Sequence, residues 1–145
     1  MTAHDVAALE KTLAKTQAWI AALDAALGWH APQRSYAALR GVLHAIRDRL
    51  PPQEAVDLAA QMPMLVRGLF FEGWRLAGKP RRYRHKREFL AQVAAEAPWV
   101  AAEDLEQVVT AVFELLSSEL GGGETDQVRA SLPAELRELW PRPGL

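Results

Sequence analysis

An all-α fold is what this sequence predicts, and three observations carry the prediction. Ala, Leu, Arg and Glu dominate the composition, and these residues favour helices. Val, Ile and Thr are sparse, and no segment alternates apolar and polar residues for long enough to read as a strand. Apolar residues instead recur three and four apart, in runs separated by Gly and Pro. Half of the 145 residues are hydrophobic, which is enough to build one sizeable core.

The first helix is predicted over Asp5–Leu27, about 35 Å at ~1.5 Å per residue. Its apolar seam is Val6, Leu9, Leu13, Ile20, Leu23 and Leu27, interrupted at Thr16, and Gly28 ends it. The second runs from about Pro32 to Arg49 and buries Tyr36, Leu39, Val42, Leu43, Ile46 and Leu50. Pro51-Pro52 stops it and opens a third, because proline suits a first helical turn and not an interior. Ala55, Val56, Leu58 and Ala59 form the third helix's buried face, with Glu54 near its N-terminus where the helix dipole favours an acid. Pro63 opens a fourth, carrying Leu65, Val66, Leu69 and Phe70 and fading near Gly73. A fifth begins near Glu88 with Phe89, Leu90 and Val93 and ends at Pro98. A sixth begins near Ala102 and buries Leu105, Val108, Val109, Val112, Phe113 and Leu116. Gly121-Gly122-Gly123 reads as a turn, short helices follow over Glu124–Ala130 and Pro133–Trp140, and the tail PRPGL is expected to fray.

The chain also reads as one plan used twice. MPMLVRGLF, from Met62, is matched seventy residues later by LPAELRELW. Sliding the chain by 70 aligns 19–70 with 89–140 without a gap, and 11 of the 52 pairs are identical, among them Trp29/Trp99, Val42/Val112, Pro63/Pro133 and Arg67/Arg137. The substitutions weigh more than these identities in an Ala-rich chain. Trp19/Phe89, Leu43/Phe113, Ile46/Leu116, Met62/Leu132 and Phe70/Trp140 keep core positions core in a single register. The expected organisation is one domain of two tandem four-helix repeats: a first half at 1–74, a basic connector at 75–88, a second half at 89–140 and a tail at 141–145. Each half would bury its apolar faces against the other.

Across His44–Trp74 the sequence follows the pattern LHAIRDRLP…EA…L…Q.P…RG…EGW, preceded by KTQAWIAALDAALGW and followed by KREFLAQV. In these features, and over nearly its whole length, the chain resembles a bacterial family of uncharacterised proteins, the domain of unknown function 2267. The resemblance implies an all-helical fold and supplies no activity, cofactor or catalytic residue.

Bulk properties exclude several function classes. A net charge of −1 argues against a surface that is nucleic-acid- or membrane-binding throughout. The lack of cysteine removes disulfides, thiolate nucleophiles and cysteine-ligated metals. The start MTAHDVAALEKT does not read as a secretory signal, and no uncharged run exceeds nine residues where a bilayer span needs about 20. A cytoplasmic protein without membrane contact is expected. No GxSxG surrounds Ser35, Ser117, Ser118 or Ser131, and the triple glycine lacks the Lys-Ser/Thr of a phosphate-binding loop. For metals there are only the pairs His85/Glu88 and His4/Asp5, with no third ligand nearby, so neither metal nor cofactor is expected.

Two surfaces remain as candidates. Lys79, Arg81, Arg82, Arg84, Lys86 and Arg87 place six cations in nine positions without an acid, and Tyr83 interleaves an aromatic that would stack on an unpaired base. Six phosphate contacts would give a log–log salt slope near about −5. The bland reading is a solvated linker whose charges pair with acids elsewhere. On the second helix, Arg40, His44, Arg47 and Asp48 form a polar stripe, with 40, 44 and 48 on one face and His44 held by Asp48. The 70-residue shift sets Thr110, Glu114 and Ser118 opposite the first, second and fourth of these, so the stripe belongs to one half; an exposed helix face is its bland alternative. Trp74 in FFEGW reads as a plug or as a pocket wall, and the paired Trp29/Trp99 reads as packing. The helix before Trp19 has no counterpart, so its seam is free to dock on its own chain or to pair with a second protomer. The leading expectation is a non-enzymatic protein–protein interaction module, acting on another protein or as a homodimer. Polyanion or nucleic-acid binding through the connector ranks second, and an enzyme or ligand site on the Arg40/His44/Asp48 face third.

Overall fold

A computed structural model describes residues 6–141. Among them every regular element is helical: α1 (Ala7–Leu27), α2 (Pro32–Arg49), α3 (Pro52–Ala60), α4 (Met64–Phe71), α5 (Lys86–Glu96), a 3-10 turn (Ala102–Asp104) leading into α6 (Leu105–Glu119), α7 (Gly122–Ala130) and α8 (Ala134–Arg137). The expected start of the first helix at Asp5, the His4/Asp5 pair and most of the tail lie outside the described residues. No helix among these residues is long and apolar enough to cross a membrane.

The local rules place most boundaries where the sequence put them. Gly28 closes α1 at φ 68°, its N–H reaching the Asp24 and Ala25 carbonyls, a left-handed cap suited to glycine. Pro32 and Pro52 stand in the first turns of α2 and α3. Asp24 then organises the entry to α2: its Oδ1 accepts from the Ala31 N–H (3.0 Å) and the Ser35 hydroxyl (2.7 Å). Three boundaries move. Helix α5 begins two residues early, at Lys86. Gly122 and Gly123 form the first turn of α7, so the triple glycine is helix start as well as turn. The last helix is only Ala134–Arg137.

The core forms around α2, which packs on α1, α3, α4, α5 and α6. Helix α1 also lies on α4 and α6, α5 on α6 and α8, and α3 on α7. Every residue from Gly41 to Asp48 is buried, so α2 has no solvent face along two turns. The buried set expected on α2 and α6 is found buried, with one exception. Tyr36 is 42% exposed, because its side of α2 points outward beside α1. Val56 and Leu65 are exposed as well. On α1 the buried residues are Thr12, Trp19 and Leu23, while Val6, Leu9 and Leu13 face outward. The inward face is rotated from the expected seam because Thr12 is used as an acceptor: its hydroxyl receives the Leu65 N–H at the start of α4 (3.1 Å).

Helices α2 and α5 approach tightly at Gly41, where a Cβ would sit 3.3 Å from the Glu96 Cβ and 3.5 Å from the Val93 carbonyl oxygen. Gly41→Val is therefore expected to cost about 1–3 kcal/mol by overpacking, whereas Gly68→Ala, in open space on α4, should stabilise by up to about 1 kcal/mol through helix propensity. Urea midpoints of the two variants check this; equal shifts would mean that the crossing is not tight. The Ser35 hydroxyl and then the Ala31 N–H hold the Asp24 carboxyl below its ordinary value. A depressed folded value adds stability that is present above the unfolded carboxylate range and lost as pH falls through the folded one. Wild type should thus exceed Asp24→Asn in thermal midpoint at neutral pH, and the gap should close on acidification.

Candidate functional site

Burial of α2 on all sides along Gly41–Asp48 forces the polar residues of that stretch to find partners inside the protein. His44, Arg47 and Asp48 are each 5% exposed, so the stripe is not a solvated face. Nor is His44 held by Asp48. Its Nδ1 lies 2.9 and 3.1 Å from the two carboxylate oxygens of Glu96 on α5, and its Nε2 lies 2.8 Å from the Leu69 carbonyl of α4. A carbonyl only accepts, so Nε2 donates to Leu69, and Nδ1 faces the Glu96 carboxyl. Arg40, at the edge, pairs with both Glu96 and Glu72. Arg47 donates to Asp48 (2.9 Å) and to the Phe70 (3.0 Å) and Glu72 (2.8 Å) carbonyls. Gln92 completes the set by donating to Asp48 (2.9 Å). The cluster therefore ties α2 to the C-terminal end of α4 on one side and to α5 on the other.

This arrangement is chemically suited to holding helices. His44 adds a second bond to the Leu69 carbonyl, which already accepts the Glu72 N–H, Arg47 meets the Phe70 and Glu72 carbonyls just beyond it, and Glu96 and Asp48 stand against His44 and Arg47. Among the described residues, the partners of the His44 ring are Glu96 and the Leu69 carbonyl. Glu96 and Gln92 escaped the sequence reading. The signal for them was their i, i+4 spacing on the side of α5 that also carries Phe89 and Val93, which are buried.

The connector splits into anchored and free parts. The Arg81 N–H donates to the Asp48 carbonyl (2.8 Å), and Arg49 donates through Nε to the Tyr83 carbonyl (2.9 Å) while its guanidinium stands 5.8 Å over the Tyr83 ring. Tyr83 is not available to stack on a base: it packs against the core, its hydroxyl is buried without a partner, and burial pushes its pKa far up. His85 meets Glu135 (2.7 Å), and Lys86 reaches Glu106 (2.9 Å) and Glu138 (3.5 Å), hydrogen bonding to Glu106 raising its pKa first. Arg81, Arg82, Arg84 and Arg87 are exposed, and among the described residues their side chains have no ion pair. Lys79 is half-buried and makes only a backbone turn to Leu76. Trp74 stacks on Phe71 at 5.3 Å and is half-buried against the core.

Two cavities adjoin the loop between α1 and α2. One, of about 580 Å³, opens between α1 and α2 and is lined by Gln17, Ile20, Asp24, His30, Pro32 and Tyr36 among others. The second, of about 220 Å³, is bounded by Trp29, Arg34, Trp99 and Asp104. Trp99 is 39% exposed, so it is not the packing residue expected from its pairing with Trp29.

A family model described as an uncharacterized conserved protein, the domain of unknown function 2267, matches residues 16–139. The chain belongs to this family. No curated protein matches it. The stretch that carries the resemblance to the domain of unknown function 2267 family includes His44, Arg47, Asp48 and Glu72, all members of the cross-helix cluster.

The burial pattern ranks the cluster. His44→Ala and Arg47→Met should each cost about 2–4 kcal/mol, since each strands buried acceptors. Arg40→Ala, whose side chain is 37% exposed, should cost under about 1 kcal/mol. Denaturant titration of the three variants tests the order, and a cost for Arg40→Ala matching that of His44→Ala would contradict it.

Proposed function

We propose that the chain is a non-catalytic interaction module that seats an apolar helix of a partner protein on the outer face of α1 and α2. One observation carries this reading. The seam Val6, Leu9 and Leu13, exposed by 43–49%, runs along α1 toward the open groove at Ile20 and Tyr36, and its 3- and 4-residue spacings are those by which two helices interlock. A groove between two helices with an apolar lining and a few polar groups is the usual shape of such a site. Asp24, Gln17 and His30 at its edges would fix the partner's register.

Duplication belongs to the same reading. Under a shift of 70, α1 corresponds to α5 and α2 to α6, and most helix contacts map onto each other: α1 on α2 and α6, α5 on α6 and α2, with α3 against α7. Arg67 and Arg137 each donate to the carbonyl five residues back, Met62 and Leu132 (3.1 and 2.5 Å). In the second half the position of Tyr36 is Glu106, which Lys86 neutralises. The groove of the first half has no such filling ion pair, which favours a site specialised on one copy.

A second reading rests on the four exposed, unpaired arginines of the connector, on a backbone held by Asp48 and Arg49. It makes the connector a polyanion site of about four phosphate contacts, with a salt slope near about −4. The two readings separate in one experiment. Tagged protein is used to capture partners from nuclease-treated and untreated lysates, with Leu13→Glu/Ile20→Glu and Arg81→Glu/Arg82→Glu/Arg84→Glu variants checked for helicity. The docking reading expects nuclease-resistant capture of a protein, lost in the first variant and kept in the second. Capture that survives Leu13→Glu/Ile20→Glu and vanishes with nuclease would replace it with the polyanion reading.

A further inference from the structure

We infer that the smaller cavity, beside the α1–α2 loop, binds a small zwitterion in which a carboxylate accompanies an ammonium or quaternary ammonium group, the chemistry shared by free amino acids and betaines. Alternate residues of the loop serve the two cavities: His30 and Pro32 line the groove between α1 and α2, while Trp29 and Ala31 turn to the smaller cavity. Its far wall is Trp99, Val100 and Ala101, and Arg34 and Asp104 stand at its sides. A volume of about 220 Å³ corresponds to about seven waters at ~30 Å³ each, the size of a metabolite and below the range of drug-sized sites.

The charges decide the ligand. Arg34 lies over the Trp99 ring, 5.9 Å from its centroid, so the cavity already places a cation on an indole face. Arg34 and Asp104 both line the same small space, yet among the described residues neither side chain makes an ion pair or hydrogen bond. An anion alone would meet the Asp104 carboxylate, and a cation alone would meet the Arg34 guanidinium. An apolar molecule would engage neither charge. A zwitterion satisfies both at once, its carboxylate on Arg34 in a two-pronged hydrogen bond and its onium group near Asp104 and the indoles. The 70-residue spacing sharpens the point. It pairs Trp29 with Trp99 and Ala31 with Ala101, identical walls, but pairs Arg34 with Asp104, opposite charges. The site is thus polarised where the two segments otherwise match.

Trp29 sits between Gly28 (φ 68°) and His30 (φ 53°), so a left-handed backbone sets its placement. The five indole N–H groups of the chain provide the readout. Nitrogen-15-labelled full-length protein is titrated with glycine betaine and with L-phenylalanine, and in parallel with tetramethylammonium, phenethylamine and phenylacetate. The expected result is saturable shifts of the Trp29 and Trp99 indole signals with at least one zwitterion, with the single-charge probes at least tenfold weaker. Arg34→Met and Asp104→Asn, both surface changes, should each weaken binding at least tenfold. A response to betaine alone assigns the quaternary ammonium source, and one to L-phenylalanine alone assigns free amino acids. The inference is overturned if neither zwitterion shifts these two signals, if single-charge probes bind as well, or if the two variants bind like wild type.

Discussion

The packing of this molecule depends on burying the Gly41–Asp48 stretch of α2 on every side. A helix surrounded by five others cannot keep a polar face, and α2 carries His44, Arg47 and Asp48 in its buried stretch. Leaving such groups unpaired would cost several kcal/mol each. The solution is to spend them on other helices. Arg47 and His44 bond carbonyls where α4 ends, and Glu96 and Gln92 of α5 supply the opposing groups. Gly41 belongs to the same solution, because Glu96 reaches His44 only if α5 lies close, and the missing Cβ permits that approach.

Around α6, carbonyls just beyond α8 are met with less charge. There the Thr110 hydroxyl donates to the Leu139 carbonyl (3.0 Å), and Arg129 donates to the Trp140 carbonyl (2.6 Å). Leu139 and Trp140 stand 70 residues beyond Leu69 and Phe70, so the same two carbonyl positions are capped in both halves by different side chains. In the second half the Trp140 ring stacks on Phe113 at 4.3 Å, and its indole N–H reaches Ser117 (2.8 Å). An aromatic plug thus sits against α6, whereas α2 is fixed by an ionic network shared with α4 and α5.

Periodicity and punctuation made the helices legible: Gly28, Pro32, Pro52 and Pro63 stand at boundaries that local backbone rules alone require. What stayed hidden was the direction in which each helix faces. Val6, Leu9, Leu13, Tyr36 and Val56 fit an apolar period yet lie outside, since a period fixes a stripe and not which neighbour covers it. The partner of His44 was hidden for a related reason. Asp48 is four residues away and was the local choice, whereas Glu96 is 52 residues away and becomes adjacent only through tertiary packing. Tyr83 shows the converse. In sequence it stands in a basic run that reads as solvated, but Arg49 and the Asp48 carbonyl draw that run onto α2 and bury the ring.

The same physics separates structural from functional candidates. A polar residue whose bonds are all met inside the fold is accounted for by folding, and His44, Arg47 and Asp48 are of that kind. A residue that folding leaves exposed and unmet needs another account. The α1 seam and its groove, the free connector arginines and the Arg34/Asp104 pair are such residues; the connector arginines lie on a stretch of their own, while the groove and the small cavity share the loop between α1 and α2. Apolar seam, cationic strip and polarised cavity call for three different chemistries. A helical partner on the seam does not compete for the charges at Arg34 and Asp104, because the loop between α1 and α2 turns alternate residues to each. That shared loop makes the two sites neighbours, so a zwitterion held against Trp29 would stiffen the same backbone that shapes one end of the helix-docking groove.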